Sequence, residues 1–99
     1  MRSLEETGQR VLKTTMEQYV SRLDEFLNAR NGIVLVGMEG YHDHWSLITR
    51  LTAKSFILYD SVGLERLTIR HCILKKKDTV MSKQSHILNP YDTHFLWVD

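Results

Sequence analysis

An amphipathic stripe runs directly into an apolar run, and this pairing sets the fold class. Leu12, Met16, Val20, Leu23 and Leu27 recur at helical intervals, with Tyr19 and Phe26 widening the stripe. Lys13, Glu17, Arg22, Asp24 and Glu25 fall mostly off it. A helical face this long must cover something flat and apolar. The next residues, Gly32–Met38, form a continuous apolar run suited to a strand buried on both faces. Ser3 and Glu6 have capping-box spacing, Gly8 weakens the first turns, and Asn31-Gly32 supplies a stop of the left-handed type. The helix is therefore expected at about 9–30.

The remainder reads as sheet, at about 32–98. Glu39–Asp43 is a polar connection containing Gly40. His44–Arg50 and Ser55–Asp60 are rich in aromatic and β-branched residues, as strands are. Ser61-Val62-Gly63 is a turn. Leu67-Thr68-Ile69 looks like strand, while Cys72-Ile73-Leu74 either begins a helix or continues the strand. Lys75–Ser85 is a polar loop, and Ile87-Leu88 and Thr93–Val98 are short strands separated by an Asn89-Pro90 turn. The expectation is one α+β domain over residues 1–99, with an N-terminal amphipathic helix packed on a mainly antiparallel sheet.

Composition removes several classes. With 42% hydrophobic and 25% charged residues, the chain has the balance of a folded domain, not of a disordered one. A formal net charge of +1 gives no reason to expect nucleic acid or a membrane surface as partner. Cys72 is the only cysteine, so an intrachain disulfide and a zinc site of several thiolates are excluded. The opening residues MRSLEETGQR carry two acids and a Gly where a signal peptide carries its apolar run. The apolar core of the first strand, Ile33–Val36, is far too short to span a bilayer. The expected setting is soluble and cytoplasmic.

Chemistry points to His44 and Asp60. His44 opens one strand and Asp60 closes the next, and antiparallel partners have residue numbers of constant sum. A loop of Leu51-Thr52-Ala53 puts them directly opposite one another. A loop of Thr52-Ala53-Lys54 leaves them diagonal on one face, and a two-residue loop puts them on opposite faces. A carboxylate that accepts one ring N–H fixes the imidazole tautomer, so the other nitrogen can act as general base. The competing reading is a structural His–Asp hydrogen bond at a strand end.

The segments YHDHWSLITR and SFILYDSVG resemble the His and Asp motifs of papain-like cysteine peptidases, in particular those that cleave double-glycine leader peptides. The likeness covers roughly Leu12 to Gly63. It implies the sheet half of a papain-like fold, with His44 as general base and Asp60 as its orienting partner. Trp45 and Ser61, beside them, are the expected substrate contacts. The family's leader-peptidase branch carries its nucleophilic Cys on a helix upstream of the His, and no Cys lies between Met1 and Tyr41. The branch that removes ubiquitin-like modifiers places it some fifty residues after the Asp, whereas Cys72 follows Asp60 by twelve. Arg70, His71 and Lys75 could lower the Cys72 pKa, yet flanking Ile69, Ile73 and Leu74 suit a small buried hydrophobe.

Two functions follow. In one, the chain is the C-terminal half or a truncated relative of such a peptidase, inactive without a Cys-bearing segment and acting on a peptide or protein. In the other, it is a peptide- or protein-binding module on the same scaffold, with edge strands open to strand addition or to a homodimer. No cofactor or metal is expected. His42 and His44 could share one face of a strand, but two imidazoles do not complete a metal site. The aromatics Trp45, Tyr59, Tyr91, Phe95 and Trp97 are expected mainly in the core, and exposure of Trp45 and Trp97 instead would mark a peptide groove or dimer face. Lys75-Lys76-Lys77 is expected to be a solvated run.

Overall fold

Thr15, not Ser3, starts the helix. The computed structural model describes residues 15–39, 44–60, 63–75 and 86–98, and the backbone of 2–5. The Thr15 hydroxyl accepts the Gln18 N–H and the Gln18 side chain accepts the Thr15 N–H, both at 3.1 Å, a complete capping box. Helix α1 then spans Met16–Ala29. Ser3 lies instead in strand β1 (Arg2–Glu5), antiparallel to the last strand. The expected turns at 9–14 lie outside the described residues.

The helix stop also differs from expectation. Arg30 is extended and its N–H donates to the Phe26 carbonyl at 3.0 Å. Asn31 and Gly32 take no left-handed conformation; among the described residues only Gly63 has positive φ. Gly32 is required for space: a Cβ there would collide with the Leu96 carbonyl and lie 2.8 Å from the Phe26 ring.

The strands are β2 (Gly32–Glu39), β3 (His44–Leu51), β4 (Ser55–Asp60), β5 (Arg66–Thr68), β6 (Cys72–Leu74) and β7 (His86–Trp97). Their order is β1-β7-β2-β3-β4-β5, all antiparallel, while β6 runs parallel to β7. β5 and β6 therefore belong to opposite edges of the sheet, yet only a 3₁₀ turn, Ile69–His71, joins them. A connection that short forces the sheet to curl until its edges approach, giving a near-barrel. The Ile69 N–H, donating to the Lys54 carbonyl at 2.8 Å, ties this turn to the β3–β4 turn.

The final two strands expected from sequence are one strand with a bulge. Val36 pairs with Thr93 but Gly37 pairs with Asn89, so Pro90, Tyr91 and Asp92 are left without partners on β2. A proline is tolerated in a strand only at such a place. Asn89 builds the bulge: its side chain accepts the Tyr91 N–H at 2.9 Å, and its carbonyl accepts the Thr93 hydroxyl at 2.9 Å.

The core lies between α1 and the concave sheet face. Tyr19 and Leu23 pack against Val34, Val36, Met38, Ile48, Phe56, Leu58 and Phe95. β2 is buried on this face alone; Ile33 and Leu35 on the other are half-buried, which corrects the expectation of two buried faces. The Tyr19 hydroxyl meets the Thr93 hydroxyl at 3.0 Å inside this core, satisfying both. Among the described residues no helix is long and apolar enough to cross a membrane.

Candidate functional site

The β3–β4 hairpin turns at Thr52-Ala53-Lys54, and its ladder contains one extra residue. Leu51 pairs with Phe56 and Arg50 with Ile57, but Ile48 pairs with Leu58 and Ser46 with Asp60. Thr49 is the bulged residue. It lets Ile48 and Leu51 both face inward while Thr49 and Arg50 are both exposed. The bulge decides which face carries His44. With Leu51 facing inward and no bulge, alternation would turn Trp45 and Leu47 inward and His44 outward, away from Asp60. The bulge reverses that alternation, and His44 lies two residues from Ser46, diagonal to Asp60 on the same face.

The two side chains meet. His44 Nε2 lies 2.8 Å from Asp60 Oδ1, with the imidazole 10% exposed and the carboxylate fully buried. A buried carboxylate is costly unless its oxygens are satisfied. The second oxygen receives the Leu64 N–H at a long 3.4 Å. That N–H reaches back because Gly63 adopts φ +87°, a conformation that costs little only for glycine, and the Gly63 N–H closes onto the Asp60 carbonyl at 3.2 Å. Ser46 pairs with Asp60 across the hairpin and is buried. Its buried hydroxyl has no hydrogen-bond partner among the described residues.

His44 borders a cleft of 260 Å³ lined by Gly37, Met38, Glu39, Trp45, Asn89 and Asp92. Trp45 stands 48% exposed beside it. Trp97 does not join it; it packs edge-on to Phe26 with Arg30 over its ring at 5.2 Å. Tyr59 and Tyr91 are exposed, against expectation, because they fall on the outer face and on the bulge; Phe95 is in the core. Lys75 is partly exposed and pairs with Glu39 at 2.7 Å. Ser61, the second expected substrate contact, lies outside the described residues, as do His42, Asp43, Lys76 and Lys77. Among the described residues no group of three or more His, Cys, Asp or Glu could hold a metal ion. A separate hollow of 440 Å³, lined by Ala53, Lys54, Thr68, Ile69 and Arg70, sits at the turn end of the hairpin, remote from His44.

Cys72 belongs to another part of the molecule. It is on β6, which reaches β3 only through β7 and β2 or, around the near-barrel, through β5 and β4. Its thiol is buried and donates to the Thr68 carbonyl at 3.5 Å. Burial pushes its pKa from 9.0 up to about 12, so Arg70, His71 and Lys75 do not activate it.

Sequence reasoning missed Gly37, Asn89 and Asp92 as cleft residues. The Asn-Pro-Tyr-Asp cluster signalled a turn; what it could not signal is that the turn bulges from a strand next to Gly37. No protein-family model, curated protein or solved structure matches the chain.

Proposed function

We propose that the chain supplies the general-base half of a papain-like cysteine peptidase site, on a sheet resembling that fold's sheet half. Asp60 holds His44 through Nε2, so proton transfer passes through Nδ1. Nδ1 would take the proton of a cysteine thiol and later deliver it to the leaving amine. The 2.8 Å contact between a fully buried carboxylate and an imidazole bordering a cleft carries this reading. Cys72 is not the nucleophile, so the thiol comes from another segment or a partner chain, and this chain alone hydrolyses no peptide.

The experiment is isolation of the protein from its native cell, followed by intact-mass measurement and iodoacetamide labelling near neutral pH. The expected result is a mass above 11.6 kDa, or a Cys-bearing partner, with a thiol whose alkylation slows at least about tenfold in His44→Gln. A mass of 11.6 kDa with Cys72 as the sole, unreactive thiol overturns it. That outcome favours the second reading, a peptide-binding module in which the His44–Asp60 pair is structural.

A further inference from the structure

We propose that the cleft beside His44 selects a peptide carrying a cationic side chain, with Trp45 and Asp92 as the specificity-determining residues. This deepens the peptidase-like reading by naming its substrate class, and it rests on that reading only for the bond that reacts.

Three observations meet at one point. First, Gly37 is the cleft's floor. A Cβ built there would lie 3.6 Å from the Trp45 ring, 3.2 Å from the Asp92 Cβ and 3.7 Å from Asp92 Oδ2. An aromatic ring and a carboxylate thus border the same small space, which a side chain at position 37 would fill. Second, only one of the two acidic walls is ion-paired among the described residues. Glu39 is offset by Lys75 at 2.7 Å, whereas Asp92 accepts the Asn89 side-chain N–H at 3.1 Å and makes no ion pair among the described residues. Third, the Trp45 ring lies against His94, with centroids 5.7 Å apart and planes tilted by 48°, and the residue is about half exposed.

An aromatic face next to a carboxylate recognises a guanidinium or ammonium group. The ring's electron-rich face attracts the cation, and the carboxylate accepts its N–H bonds. Arginine fits better than lysine, because its planar group stacks and donates along its edge together. An acidic side chain would meet Asp92 with like charge. The bulge at Pro90, Tyr91 and Asp92 has a consequence here: it carries the carboxylate out of the ladder and over Gly37.

The test is binding, which needs no nucleophile. The intact chain is titrated with N-acetyl-arginine amide, its uncharged isostere N-acetyl-citrulline amide, and N-acetyl-glutamate amide, following backbone and indole NMR shifts. The expected result is saturable shifts at Gly37 and the Trp45 indole with the arginine probe, at least fivefold weaker with citrulline and absent with glutamate. Asp92→Asn should weaken arginine binding about fivefold and Trp45→Leu about threefold, while citrulline binding should hardly change in Asp92→Asn. Both positions are exposed, so both variants should fold. Equal binding of arginine and citrulline, shifts confined to other surfaces, or no binding at all overturns the proposal. Arginine binding by a chain that proves to lack any partner thiol would leave the cleft's selectivity standing and remove only the peptidase reading.

Discussion

His44 and Asp60 meet at 2.8 Å on one face because β3 carries one residue more than β4 between the pairs Ser46–Asp60 and Leu51–Phe56. Thr49 is that residue, and its hydroxyl donates to the Ile57 carbonyl at 3.4 Å, filling the bulge locally. A surface residue thereby sets which face of the sheet the imidazole occupies.

Breaking this pair from either side should be unequal in its cost. His44→Ala leaves a fully buried carboxylate without its imidazole, and loss of about 3–5 kcal/mol is expected in urea unfolding. Asp60→Asn removes the buried charge and leaves an amide that can either accept from or donate to Nε2, so its loss should be smaller while the tautomer is no longer fixed. A His44→Ala protein as stable as wild type would contradict a stabilising buried His44–Asp60 pair.

Ser46→Ala should be neutral or slightly stabilising. The hydroxyl is buried with no partner among the described residues, so its removal deletes a desolvation cost without breaking a bond. A loss above about 1 kcal/mol in thermal or urea unfolding would show that the hydroxyl serves the neighbouring His44–Asp60 pair.

Gly32→Ala should destabilise by about 1–3 kcal/mol, since the new Cβ must displace the Phe26 ring or the Leu96 backbone. A companion change of Phe26→Leu should recover part of that loss. An unchanged midpoint for Gly32→Ala would contradict the close approach of α1 and β7.

Much of the fold was legible because it rests on periodicity. The helical stripe and the limits of β4 follow directly from side-chain spacing. Three features were not legible, each for a physical reason. β1 was hidden because Arg2–Glu5 gains its partner from Phe95 and its neighbours, at the far end of the chain. The bulge at Thr49 is one residue of irregularity, which no alternation pattern reports. At Asn31-Gly32, a helix stop and a packing requirement call for the same residue. The candidate pair was visible in the strand ends, but its face was open between registers until the bulge fixed it.

Cys72 should be slow to react and should make the fold alkali-sensitive. Burial raises its pKa from 9.0 to about 12, so the folded state holds the proton more tightly than the unfolded state. Stability from this group is complete below pH 9 and falls as pH rises from 9 toward 12, because unfolding then releases a proton. Cys72→Ala should flatten that alkaline slope, though it costs stability at pH 7. Rapid reaction of the native thiol with a disulfide reagent at pH 7.5 would contradict the burial.

The most direct measurement of the central claim is the tautomer of His44, read by long-range ¹⁵N–¹H NMR in wild type and Asp60→Asn. If Asp60 orients the ring for general-base work, neutral His44 carries its proton on Nε2, and the tautomer balance shifts in Asp60→Asn. A ring protonated on Nδ1, or a tautomer balance indifferent to Asp60→Asn, would contradict the assignment of His44 as a base held by Asp60.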